Sequence, residues 1–266
     1  MNGRDLVDFH NHLMPGVDDG AVDETETAAA IEAFLANGIA QFVATPHVDG
    51  SLSLRADVLR DRLDELDEGW RRLSAVLQRY PGISAHRGAE VMLDTPEPDL
   101  SDARLRLAGG SFALVEFPFM TIPPMSTRVI EFLRSAGVVP IIAHPERYVG
   151  MNPTSPLPAE WRQAGAHLQV NAGSLTGRYG QGPRVHAFAL LERGLVDYMC
   201  SDYHARGRPA TTSARHLLEE LRGGEQAELL FSVNPRRMLN GEPPLPVPPW
   251  RPQRTLWQRL RRRWKR

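Results

Sequence analysis

Short apolar or β-branched runs alternate with longer amphipathic stretches along most of the chain. The runs LVDFH (6–10), IAQFVAT (39–45), ISAHRGAEV (83–91), FALVEF (112–117), VVPIIAH (138–144), HLQVNA (167–172) and LVDYMCS (195–201) have the length and residue types of buried strands. Between residues 55 and 80, Leu59, Leu63, Leu66, Trp70, Leu73, Leu77 and Tyr80 recur at steps of four and three. That spacing predicts one long helix with a single apolar stripe. A second helix is predicted over 23–37, opening on Asp23-x-x-Glu26, close to a capping box, and stopping at Gly38. Further helices are predicted over 126–136, 184–193 and 211–221. Repeated strand–helix alternation predicts an α/β fold with a parallel sheet and helices outside it. Seven strands favour a closed, TIM-like barrel over an open sheet.

Charge divides the chain. The net formal charge is −1, but the last 16 residues, RPQRTLWQRLRRRWKR, carry eight Arg or Lys and no acid. Removing those eight charges leaves −9 on the acidic remainder. A proline-rich strip, PPLPVPPWRP, precedes the basic end. The expected organisation is a folded domain over 1–242, a linker over 243–252 and a basic amphipathic tail over 253–266. No run approaches the roughly 18 apolar residues of a membrane span, and the N-terminus lacks a long apolar signal region. The single cysteine, Cys200, excludes an intrachain disulfide. A reducing cytoplasm is the expected compartment.

Ionisable residues gather at the ends of the predicted strands. His10-x-His12 follows the first, with Asp18 and Asp19 shortly after. His47 follows the second, Glu90 closes the third, Glu116 lies near the end of the fourth and His144 closes the fifth. Asp202-x-His204 follows the seventh. In a parallel barrel these ends share one rim, so the side chains converge. A lone histidine carries little weight, and His86, His167, His186 and His216 fit an ordinary surface or core role. Acids such as Glu90 in GAEVM and Glu116 in ALVEF are costly beside apolar strands unless paired or coordinated. Imidazole and carboxylate without thiolate suit manganese, iron, zinc or cobalt. The candidates exceed the needs of one ion, which points to a multinuclear hydrolytic site and most naturally to phosphate-ester chemistry.

The set His10-x-His12, Asp19-Gly20, Thr45-Pro46-His47, Gly88-Ala89-Glu90, Glu116, AHPERY (143–148) and Ser201-Asp202-x-His204 resembles the polymerase and histidinol phosphatase (PHP) superfamily. VDDG, the AHPERY run, Asn171-x-x-Ser174 and Asn234-Pro235 narrow the resemblance to the bacterial capsule-type tyrosine-protein phosphatases, the CpsB/YwqE-like group, over about residues 5–240. The resemblance implies a distorted seven-stranded barrel and three divalent ions, typically Mn2+, with iron, zinc or magnesium as alternatives. His10, His12, Glu90 and Asp202 would hold the first ion. Glu90 would bridge to a second, completed by Glu116 and His144. Asp19, His47 and His204 would hold the third. Arg147 matches one phosphate-binding arginine; Arg208 is the choice for the other, with Arg206 its rival. The implied reaction is hydrolysis of phosphotyrosine by a hydroxide between metals, with Asp202 or His204 available to assist protonation of the leaving group. The implied partner is the phosphotyrosine tail of a bacterial tyrosine autokinase in capsule or exopolysaccharide synthesis.

Two further readings compete. CSDYHAR (200–206) has the Cys-x5-Arg spacing of cysteine-dependent tyrosine phosphatases. Such a loop wraps the phosphate in backbone N–H groups and needs a lowered thiol pKa. Asp202, Tyr203 and His204 are ill suited to it, and Cys200 ends an apolar run. A small-molecule PHP phosphomonoesterase, such as histidinol phosphatase, is the closest enzymatic alternative. A nuclease or other nucleic-acid partner is disfavoured by the acidic body, and a kinase-binding regulator with structural metals is disfavoured by the complete ligand set. In the tail, Trp257, Leu260 and Trp264 share one helical face. Such a helix suits an anionic membrane surface at the inner face of the plasma membrane; a solvated tail, or one docked on the acidic body, is the alternative.

Overall fold

The computed structural model describes residues 6–251. The basic tail over 253–266 lies outside the described residues. Nine strands are described: β1 (Leu6–Asp8), β2 (Ile39–Ala44), β3 (His47–Asp49), β4 (Ser84–Arg87), β5 (Glu90–Met92), β6 (Phe112–Glu116), β7 (Val139–Ala143), β8 (His167–Asn171) and β9 (Tyr198–Cys200). Every pairing among them is parallel. They form two sheets, β1-β2-β4 and β3-β5-β6-β7-β8-β9.

The expected strand over 83–91 is two strands, and β3 was not expected. The cause is local. Pro46 has no N–H to donate, so the ladder cannot run unbroken from β2 into β3. At the same level Gly88 interrupts the neighbouring line, where a Cβ would stand 3.1 Å from Val43 Cγ1 and 3.2 Å from Leu107 Cδ2. Backbone bonds carry the pairing across the break, from Gly88 N–H to the Ala44 carbonyl (3.0 Å) and from Glu90 N–H to the Pro46 carbonyl (3.0 Å). At the other edge the chain beyond β9 meets the chain beyond β1. Asp202 N–H donates to the His10 carbonyl and His12 N–H to the Tyr203 carbonyl, each at 2.9 Å.

Side-chain alternation sets the layers. Phe112 and Leu114 of β6 pack with Ile141 and Ala143 of β7, and with Phe9, Val43, Tyr198 and Cys200, in one apolar interior. Ala113, Val115 and Ile142 face the opposite way, toward Ile130, Leu133 and Trp161 of the outer helices. A period of two places Glu116 on the same face as Phe112 and Leu114, at the strand's C-terminal end.

Nine α-helices are described: α1 (Glu24–Ala36), α2 (Ala56–Leu77), α3 (Ser126–Ser135), α4 (Leu157–Gln163), α5 (Ala172–Thr176), α6 (Gln181–Glu192), α7 (Thr211–Glu220), α8 (Gly224–Glu228) and α9 (Asn234–Leu239). Asp23 Oδ1 accepts from Thr25 and Glu26 N–H at 2.8 and 2.9 Å, while Glu26 reaches back to Val22 N–H rather than to the cap itself. The α2 stripe turns Leu63, Leu66 and Leu73 into the core. None of the described helices is long and apolar enough to cross a membrane.

The proline-rich strip departs from its expected linker role. Over 243–251 it lies against the body, with Val247 and Trp250 buried. Trp250 N–H donates to the Leu191 carbonyl (2.9 Å), and its ring stands 5.3 Å from that of Phe188. The Asn234 amide brackets Leu245, donating to its carbonyl (3.0 Å) and accepting its N–H (2.8 Å). Prolines extend the strip, and its two large apolar residues find a groove to fill.

Candidate metal centre

His10 and His12 lie in the segment leaving β1 and are fully buried. Each ring is held from behind. His10 Nδ1 stands 2.7 Å from Gln169 Oε1, and His12 Nδ1 stands 2.7 Å from Asp18 Oδ2. These partners assign the proton to Nδ1 and leave Nε2 free for a ligand. Both Nε2 atoms face the same two carboxylate oxygens. Glu90 Oε2 is 3.0 Å from His10 and 3.4 Å from His12; Asp202 Oδ1 is 3.3 and 3.5 Å away.

A second group adjoins the first. His47 Nδ1 lies 3.4 Å from Glu90 Oε2 and 3.2 Å from Glu116 Oε1. His144 Nε2 closes on the same acids, 3.0 Å from Glu90 Oε1 and 3.7 Å from Glu116 Oε2. A third group sits at the mouth, where Asp19 Oδ1 is 3.6 Å from His47 Nε2 and 3.4 Å from His204 Nε2. Candidate ligand atoms fall into three sets, each within 4.8 Å of one another: His10, His12, Glu90 and Asp202; His47, Glu90 and Glu116; and His12, Asp19, His47 and His204. All nine predicted ligand residues therefore meet at one place. The grouping differs from the expected assignment: His47 joins the Glu90–Glu116 pair, His12 also joins the set at the mouth, and His144 falls in none of the three sets, reaching the same acids from 3.0 and 3.7 Å.

Divalent cations fit this donor set. His10 Nε2, His12 Nε2 and Glu90 Oε2 are buried without a hydrogen bond of good geometry, although both imidazole nitrogens lie within ion-pair distance of the Glu90 oxygen. Separations of 3.0–3.5 Å in the first set match the spacing of neighbouring donors each about 2.1 Å from a shared ion. Without a cation, protons take its place. Burial opposes charge on His10, yet Glu90 and Asp202 outweigh it and hold its pKa up at about 9. Burial likewise opposes charge on Glu90 and Asp202, but the surrounding imidazoles win and hold both carboxyls well below the usual range.

The loops are shaped to this end. A Cβ on Gly20 would stand 1.9 Å from the His12 carbonyl oxygen, so the Asp-Asp-Gly turn closes on His12 only because the position is glycine. His144 and Asp202 adopt left-handed backbone, with φ of 37° and 52°. Such conformations are uncommon for these residues and collect at functional sites.

Arg147 Nη1 donates to Asp202 Oδ2 at 2.7 Å, and Asn171 Nδ2 donates to the same oxygen at 2.7 Å. One oxygen of Asp202 thus faces the histidines and the other faces Arg147. Glu146 is fully buried and accepts from Ser174 Oγ (2.6 Å) and Asn171 N–H (3.0 Å). The HPER turn and the Asn171-x-x-Ser174 segment are locked together through it. Arg206 and Arg208 are both exposed near the mouth. Arg206 Nη2 donates to the Asp19 carbonyl at 3.2 Å, whereas Arg208 contributes its carbonyl to Arg178.

The four set-aside histidines stay outside the ligand sets. His86 pairs with Gln41, His167 lies 3.6 Å from Asp197, and His186 bonds the Glu146 carbonyl. Gln169 is a contributor that the sequence did not single out, whereas Asp18, one of the strand-end acids, and Asn171, part of the resemblance, act as hydrogen-bond partners of His12 and Asp202. A glutamine inside the apolar run HLQVN is a signal that could have exposed Gln169.

A family model for capsular polysaccharide synthesis, CpsB/CapC, matches residues 6–240. The chain belongs to the CpsB/CapC family. Tyrosine-protein phosphatase YwqE of Bacillus subtilis is 28% identical over 249 residues, covering 91% of this chain and 96% of YwqE. Tyrosine-protein phosphatase CpsB of Streptococcus pneumoniae is 24% identical over 251 residues, covering 88% and 98%. A crystal structure from work on these two proteins, described as unique metal-dependent tyrosine phosphatases, superposes with a TM-score of 0.75 at 26% identity, covering 94% of this chain and 100% of that one. The phosphotriesterase homology protein of Escherichia coli superposes with a TM-score of 0.56 at 12% identity, a likeness of fold alone.

Within the CpsB/CapC frame the cysteine-nucleophile reading fails on geometry. Cys200 is fully buried in the apolar interior. Burial, reinforced by Asp8, pushes its thiol pKa well above the ordinary value, the opposite of what a nucleophilic thiolate requires.

Proposed function

We propose that this CpsB/CapC member is a metal-dependent protein-tyrosine phosphatase acting on the phosphotyrosine tail of a bacterial tyrosine kinase of capsule or exopolysaccharide synthesis. The observation that carries the proposal is the convergence of eight imidazole and carboxylate residues in three overlapping sets, with His144 against Glu90 and the Arg147 guanidinium at their edge. His10, His12, Glu90 and Asp202 hold one ion. Glu90, Glu116 and His144, with His47 beside them, hold a second. Asp19, His47 and His204 hold a third. Mn2+ is the ion proposed, on imidazole–carboxylate chemistry. When bound, such ions lower the pKa of water and neutralise phosphoryl charge.

The chain's own groups do the rest. Gln169 and Asp18 fix the ligand tautomers. Arg147, anchored by Asp202, and Arg208 from the exposed loop balance charge on the equatorial phosphoryl oxygens. Asp202 stays ionised, and burial lowers the His204 pKa and favours its neutral, ligating form, so proton delivery to the leaving tyrosinate falls to solvent. That oxygen has a parent pKa near ~10 and needs only modest help.

We read the nine strands as seven staves of a distorted barrel, β2 continuing into β3 and β4 into β5. The bonds between the segments leaving β9 and β1 support closure. A cytoplasmic location, with the 253–266 tail on an anionic membrane surface, completes the proposal. Flotation with anionic vesicles, comparing the full chain with a 1–251 truncation, tests the tail; equal recovery rejects it.

The activity is tested by offering the manganese-loaded protein phosphotyrosyl peptide, histidinol phosphate and single-stranded DNA. Preferential release of phosphate from the peptide is expected. Preference for histidinol phosphate makes this a small-molecule phosphomonoesterase instead.

A further inference from the structure

Arg147 has two partners of different kinds. Its Nη1 edge is bonded to Asp202, and one face of the guanidinium lies over the Tyr179 ring, 4.2 Å from the centroid. No described residue accepts from its remaining side-chain donors, and the side chain keeps 22% of its surface open. Tyr179 is itself built in. It sits between Gly177 and Gly180, whose φ values of 87° and 88° turn the chain back after α5. Its ring packs so closely over Gly173 that a Cβ there would lie 2.9 Å from Tyr179 Cε2. The Tyr179 hydroxyl has no hydrogen bond to any described residue, so the ring face, not the hydroxyl, makes the interaction with the arginine.

Resting on the phosphatase reading above, we propose that Tyr179 is a positioning residue for substrate phosphate. By stacking on Arg147 it fixes the plane of the guanidinium, so that the donor edge away from Asp202 stays aimed at the bound phosphoryl oxygens. A guanidinium held only by one hydrogen bond pivots about it; a second, facial contact removes that freedom. Asp202 Oδ1 faces the histidines independently of Tyr179, so losing the stack affects anion binding and leaves the metal donors in place.

The test uses the manganese-loaded full chain with Tyr179→Leu, Tyr179→Phe and Gly173→Ala, the last displacing the ring without removing it. Metal content, KM and kcat on a phosphotyrosyl peptide, and the inhibition constant of inorganic phosphate are measured. Tyr179→Leu is expected to raise KM and the phosphate constant together by about five- to thirty-fold, with unchanged metal content and a smaller change in kcat. Gly173→Ala should move both constants the same way, and Tyr179→Phe should stay within about twofold of wild type. Unchanged constants in Tyr179→Leu, or Phe failing as badly as Leu, overturn the proposal. If wild type releases no phosphate from the peptide, the phosphatase reading fails; direct titration of inorganic phosphate into wild type and Tyr179→Leu still decides the role of Tyr179.

Discussion

Asp18 Oδ2 lies 2.7 Å from His12 Nδ1 and also accepts the backbone N–H of His47 at 3.2 Å. One carboxylate therefore orients a buried imidazole and anchors the segment carrying another. It belongs to none of the three ligand sets, so its effect on metal passes through the histidines. Asp18→Asn keeps the size but removes the charge that favours the Nδ1–H tautomer. We expect Mn2+ affinity to fall by about 10- to 100-fold with the fold intact. Metal titration followed by circular dichroism checks both halves of that statement.

The raised pKa of His10 sets a pH dependence. Its folded value of about 9 exceeds the unfolded 6.5. In metal-free protein the resulting stabilisation is fully present below about pH 6.5 and is lost as pH rises through about 9. His12 shifts in the same direction. The depressed carboxyls of Glu90 and Asp202 contribute stability that is lost only on acidification, outside this window. Thermal unfolding in chelator should show Tm falling across this range. Metal binding requires neutral imidazoles and expels protons, so the stabilisation gained from Mn2+ should grow with pH. A flat metal-free Tm contradicts the electrostatic picture.

Trp250 tests whether the proline strip is structural. It is 1% exposed and fills the groove beside Phe188. Trp250→Ala should cost about 3–5 kcal/mol in urea unfolding. A free linker would tolerate the change with little loss of stability.

Much of this architecture was legible in one dimension. Strand runs and the α2 stripe are strong periodic signals, and side chains at strand ends converge in parallel α/β folds. That is why the histidines and acids at the strand ends stand out as candidates, while the choice of nine among them and their division among ions rest on the family resemblance. Proline content makes the expected linker over 243–252 read as extended chain, whereas the position of its described part depends on a groove that Val247 and Trp250 fill. The break at Pro46 and Gly88 was missed because it depends on the alignment of two neighbouring lines. Gln169 and Asn171 act across strands, and Tyr179 acts across a turn, so sequence order alone does not reveal what they touch. The ambiguity of CSDYHAR was resolved by burial: Cys200 points into the apolar interior, while Asp202 turns toward the histidines.

The central claim is that metal ligands, not a thiol, carry the chemistry. The most direct measurement is phosphate release from a phosphotyrosyl peptide by wild type and Cys200→Ser, each with Mn2+ and with chelator. The expected result is activity in both proteins with Mn2+ and loss in both with chelator. An inactive serine variant that is correctly folded, together with a wild type indifferent to chelator, would contradict it.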